Sequence, residues 1–68
     1  MSDPFVAKGQ ATQEIMEATG YGRIVIEKKM VELETRGLIA FEDDPGDSRK
    51  KLIRQSHVQI VIASLKKS

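Results

Sequence analysis

The stretch between Gly22 and Gly37 limits what this 68-residue chain can fold into more than any other part of it. Ile26, Met30 and Leu33 fall at i, i+4 and i+7, one stripe of a 3.6-residue helix, while Glu27, Lys28, Glu32 and Glu34 lie off it. Gly37 ends the run, because glycine takes the left-handed position after a helix without steric cost. The β-branched Ile24-Val25-Ile26 works against helix locally. The stripe and the bracketing glycines outweigh it and predict a helix from Gly22 to Thr35.

The flanks are read against that helix. Asp3-Pro4 has the chemistry of an N-cap and a first-turn proline, opening a weak helix that Gly9 interrupts. Thr12 is placed to cap a second helix, with Ile15, Met16 and Ala18 on one flank, Gln13, Glu14 and Glu17 outward, and Gly20 at its end. Leu38 to Glu42 and Lys51 to Gln55 read as two strands, joined by a polar loop from Asp43 to Lys50. Within that loop Pro45-Gly46 is a turn dipeptide: proline presets φ and glycine permits positive φ. Ser56-His57-Val58-Gln59 has capping-box spacing. Beyond it Val58, Val61, Ile62 and Leu65 share a helical face, although Val58, Ile60 and Ile62 also alternate as a strand would. The cap and the closing Lys66-Lys67 favour a helix over 57–66.

Sixty-eight residues make one domain, and a chain this short buries only about 60% of its unfolded surface. It has no cysteine, so no disulfide supplements that core, and a reducing compartment is expected. The longest apolar run, Ile60 to Ala63, is far too short for a membrane span, and MSDPFVAKGQ has no signal-peptide apolar region. The expectation is a soluble cytoplasmic protein with no membrane partner.

Enzyme chemistry finds little footing. His57 is the lone histidine, with no cysteine and no paired carboxylate at ligand spacing. No phosphate loop occurs, Gly20-Tyr21-Gly22 is a turn between helices, Ser56 lacks the setting of a nucleophile, and the acidic cluster lacks alternating calcium ligands. No catalytic residue, cofactor, metal or small-molecule effector is expected. The formal charge is only +1, from 11 basic and 10 acidic residues, so any case for nucleic acid rests on distribution. Acids cluster at 42–47 and bases at Arg49 to Arg54. Phe5, Tyr21 and Phe41 are too few for a single-strand stacking platform.

Helix, turn, helix, strand, polar loop, strand, helix is the order of a small α+β winged helix-turn-helix. It divides into a helix-turn-helix over about 12–36, a wing over about 38–55 and a C-terminal helix. The residues narrow this further. Leu33, Gly37 and Leu38-Ile39 resemble the Leu-x-x-x-Gly-Leu-Ile of the MarR family, and Asp44-Pro45-Gly46-Asp47-Ser48-Arg49 resembles that family's wing signature Asp-Pro-x-Asp-x-Arg. Ser56 stands where the family usually has a threonine. The likeness covers roughly residues 12–57. Thr19 and Gln55 depart from it, standing where apolar residues are usual, as does the shortness of the flanking helices that in the family build a dimer and an effector pocket.

The resemblance implies binding to double-stranded DNA, with Arg49 entering the minor groove. Asp47 is placed to hold the Arg49 guanidinium, and Lys50 and Lys51 to reach phosphates. On the long helix, Arg23 suits a guanine edge and Lys28 a phosphate. Ile24 or Val25 meets a thymine methyl or packs on the preceding helix. Glu27 accepts from cytosine or pairs with a neighbouring Arg or Lys. Thr12 and Gln13 suit phosphate at a helix N-terminus. The apolar face Val58, Val61, Ile62 and Leu65 suggests a homodimer, hence a small transcriptional regulator reading a palindromic site. The alternative is a winged helix that binds protein, as an accessory module in a replication or recombination complex.

Overall fold

A strand, not a helix, opens the chain. The computed structural model describes residues 3–66. Its elements are β1 (Phe5–Ala7), α1 (Lys8–Thr19), α2 (Arg23–Thr35), β2 (Phe41–Asp44), β3 (Asp47–Arg54) and α3 (Gln55–Lys66). Three helices thus pack with one antiparallel sheet of order β1-β3-β2, a small α+β domain.

The cap chemistry at Asp3-Pro4 is real, but it serves a different helix. The Asp3 carboxylate accepts from the Ser56 backbone N–H at 3.0 Å and from the Ser56 hydroxyl at 2.7 Å, so it closes the start of α3. The Pro4 carbonyl accepts from Gln55 N–H at 2.9 Å, tying the N-terminal segment to the start of α3. Pro4 has no N–H to donate, which suits a place at the head of an edge strand. Between them Val6 is half-buried and its neighbours Phe5 and Ala7 are exposed, the period of two that a strand needs.

This shifts α1 upstream of its expected start. Gly9 lies in its first turn and interrupts nothing. Thr12 is not a cap: it is buried, and its hydroxyl donates to the Lys8 carbonyl at 2.9 Å. Gly20, at φ +79°, ends the helix as expected, its N–H donating to Met16 O at 2.8 Å.

The second helix follows its sequence. Ile26, Met30 and Leu33 are buried, and α2 ends in a Schellman motif, with Leu38 N–H donating to Leu33 O and Gly37 N–H to Glu34 O, both at 3.0 Å. Gly37 supplies the φ of +79° that this closure requires.

The hairpin is tighter than the eight-residue loop expected for it. Strands β2 and β3 run to Asp44 and from Asp47, leaving only Pro45-Gly46 as the turn, with a register shift between Asp43 and Asp44. Leu38 to Ala40 is not strand. Gly46 does not use positive φ; the turn is held by its N–H donating to Asp44 Oδ1 at 2.7 Å. On the inner face Val6, Ile53 and Phe41 form one row across the three strands. Ile53 is fully buried at its centre.

Two further expectations change at the C-terminal end. Ser56 does not take part in a capping box with Gln59, because α3 already begins at Gln55 and the Ser56 hydroxyl is bound to Asp3. The face Val58, Val61 and Leu65 is buried in the chain's own core with Ala11, Ile15, Ile26, Met30 and Leu33, and Ile62 packs against it partly buried. Those four residues therefore are not a free dimer surface. The amphipathic pattern was satisfied inside one molecule. Lys67, expected to close α3, lies outside the described residues.

Candidate nucleic-acid interface

The first turns of α1 and α2 and the middle of β3 converge on one groove of about 490 Å³. Lys8, Arg23, Arg49, Lys50 and Lys51 line it, with Glu27 the one carboxylate among its lining residues. Five cations against one acid give a local excess of four, in a chain whose formal net charge is only +1. The distribution carries what the net charge does not.

Each cation is held differently. Arg49 stands on β3 with its side chain 90% exposed, and it is oriented by its neighbour Asp47. Asp47 Oδ1 accepts from Arg49 backbone N–H at 3.0 Å and from its Nε at 3.3 Å, leaving the outer nitrogens of the guanidinium open. Arg23 opens α2 and pairs with Glu27 one turn on at 3.3 Å. Both partners are exposed, and such pairs contribute about 0–1 kcal/mol, so a stronger anion can draw Arg23 away. Lys51 pairs with Asp43 across the hairpin, which also keeps Asp43 from facing the groove as a free charge. Lys8 lies with its ammonium 4.9 Å from the centre of the Phe41 ring, its stem half-buried.

Neither α1 nor α2 has a side-chain cap at its start, where Ala7 and Gly22 stand as N-caps. Their first backbone N–H groups therefore remain available beside the cations, the arrangement that favours an anion at a helix N-terminus. Lys8 and Gly9, rather than Thr12 and Gln13, stand at the start of α1. Gln13 is exposed in the middle of α1, where its amide donates to Glu17 at 3.1 Å, and Thr12 lines the groove as a buried residue. Lys8 was missed because it reads as the end of a weak helix that Gly9 interrupts; the alternation around Val6 was the one available signal.

The outer face of α2 carries exposed apolar residues among its charges. Ile24 is 70% exposed and Val25 is exposed beside it, so neither is sequestered against α1. Lys28 is exposed on the same side as Ile24. Of the residues expected on this helix, Arg23 and Glu27 join the groove, while Ile24 and Lys28 lie on the adjoining face.

The remaining polar features are structural. His57 Nδ1 accepts from Ala40 N–H at 3.2 Å and ties the α2–β2 connection to α3. Arg54 stacks on Phe5, 4.7 Å from the ring centre, and reaches Asp3 and Glu42 at 3.9 Å each. The hydroxyl and N–H of Ser56 hold the Asp3 carboxyl below its ordinary value, with Arg54 and His57 adding positive field. Among the described residues no helix is long and apolar enough to cross a membrane, and no cluster of three or more His, Asp or Glu is placed to hold a metal ion. Comparison with protein families, with curated proteins and with solved structures finds no match.

Proposed function

We propose that the protein is a winged helix-turn-helix that binds double-stranded DNA, with α1 and α2 as the helix pair and the β2–β3 hairpin as the wing. The observation that carries this reading is the shared groove: Arg23 from the start of α2 and Arg49 from the wing face the same cationic concavity. A groove with cations on two walls and uncapped helix starts on its floor fits a phosphodiester backbone. With a strand seated there, the N-terminal part of α2 enters the major groove and Arg49 reaches along the duplex toward the minor groove. The hexapeptide Asp44 to Arg49, similar to the MarR wing signature, points the same way.

Within this reading, Arg23, released from Glu27, reads a base edge or a phosphate, and Ile24 meets a thymine methyl. Lys8, Lys50 and Lys51 position without specifying. Regulation of transcription is the use that such a module most directly serves.

The test is titration of a labelled duplex of arbitrary sequence at low and rising salt. Binding at low salt that falls steeply with log salt supports the reading. Absence of binding at low salt contradicts it. Selection of bound duplexes from a random pool then gives the preferred site.

A further inference from the structure

The outer face of α2 carries two exposed aliphatic side chains that no other element covers, Ile24 at 70% and Val31 at 59% exposure. With Glu27 and Lys28 they line a second, shallow groove of about 320 Å³. At 100° per residue, Ile24 and Val31 lie about 20° apart, and Glu27 and Lys28 stand about 50° to either side of the line between them. The face is thus an apolar ridge with an acid on one flank and a base on the other.

We infer that this face binds a second copy of the chain, with the two α2 helices side by side and parallel about a two-fold axis. The charge arrangement chooses both the occupant and the direction. In a parallel pair Ile24 meets Ile24 and Val31 meets Val31 of the other copy, and each Glu27 faces the Lys28 of the other copy, once on each flank. An antiparallel pair would set Glu27 against Glu27 and Lys28 against Lys28, so the same residues disfavour it. Arg23, already 3.3 Å from Glu27, joins each pair as a second cation on the same carboxylate.

Four residues per copy cover on the order of 300–400 Å², well under the ~800 Å² per partner of a standard interface, so the association is weak and concentration-dependent. This pairing does not depend on the DNA-binding reading. If both hold, the two uses of α2 exclude each other, because Ile24, Glu27 and Lys28 serve in both.

Sedimentation of the purified full chain without DNA, from about 10 μM to 1 mM, tests it. Reversible dimerisation is expected within that range. Glu27→Lys and Lys28→Glu are each expected to weaken it by about fivefold or more, and the double reversal E27K/K28E to return it to within about twofold of wild type. Val31→Gln, at a solvent-facing position, removes one of the two apolar pairs without touching the charges and is expected to weaken the dimer by about tenfold or more. A wild-type chain that stays monomeric throughout overturns the inference. So do single reversals that leave association unchanged, or a double reversal as weak as the singles. Circular dichroism at each variant's working concentration confirms that the helix is intact.

Discussion

Asp47 grips Arg49 through a single oxygen, accepting from its backbone N–H at 3.0 Å and from its Nε at 3.3 Å. The carboxylate therefore sets both the strand conformation at Arg49 and the direction of its guanidinium, while its own charge opposes an approaching phosphate. These two effects have opposite signs, which makes the residue informative.

Replacing Asp47 by Asn keeps the acceptor oxygen and removes the charge; replacing it by Ala removes both. If the tether governs, Asp47→Ala weakens duplex binding by about threefold despite shedding a negative charge, and Asp47→Asn strengthens it. Anisotropy titrations of the three proteins at one salt concentration give the order. An Ala variant that binds more tightly than wild type would show that the charge outweighs the tether.

Gly37 and Gly9 separate conformational need from mere permissiveness. Gly37 sits at φ +79°, so Gly37→Ala forces a side chain into the left-handed region and destabilises by about 1 kcal/mol or more. Gly9 lies in a helical turn with no atom within 4 Å of where a Cβ would stand, and Gly9→Ala stabilises by about 0.5–1 kcal/mol. Thermal melts should move by several degrees in opposite directions, since ~1 kcal/mol shifts the midpoint of so small a domain by about 4–8 °C.

Ile53→Ala removes the centre of the row Val6–Ile53–Phe41 from a fully buried position. The expected cost is about 2–5 kcal/mol, enough to leave a domain of this size largely unfolded at 25 °C. A cooperative melt retained near the wild-type midpoint would mean that the core does not depend on this strand.

The Asp3–Ser56 contact gives a pH signature. The Asp3 carboxyl titrates below its ordinary value of 3.8 in the folded chain, chiefly because the Ser56 hydroxyl and N–H bind its charged form. Its contribution to stability is therefore complete at pH above that ordinary value, and is lost as pH falls through the lower folded value. Asp3→Ala should melt below wild type at neutral pH, and the gap should close under acid. A gap independent of pH would assign the loss to something other than the ionised carboxylate.

These contacts also explain what the sequence disclosed. The helix Arg23–Thr35 was legible because its stripe, its N-terminal glycine and its Schellman glycine are all local. The Asp47–Arg49 pair was legible for the same reason, being two residues apart. Asp3 misled because its capping partner lies 53 residues away, so its chemistry was correct and its assignment was not. The apolar Leu38-Ile39-Ala40 drew the first strand too early, and Asp43, Asp44 and Asp47 to Lys50 read as loop because they extend beyond the core, where few positions are buried and no apolar alternation marks the strand. The face Val58, Val61, Leu65 could not reveal from its period whether a partner or the chain's own α1 and α2 would cover it. The groove was invisible for a similar reason: Lys8, Arg23 and Arg49 are brought together only by the fold.

The most direct measurement of the DNA-binding account is the salt dependence of duplex affinity for wild type and Arg49→Ala. The Arg49 side chain is 90% exposed and, among the described residues, pairs with Asp47 alone, so its loss should leave the melting midpoint nearly unchanged. If the wing meets DNA through Arg49, Arg49→Ala binds about tenfold more weakly at low salt, with the slope of log affinity against log salt reduced by about 1. Equal affinity and equal slope in the two proteins would contradict it.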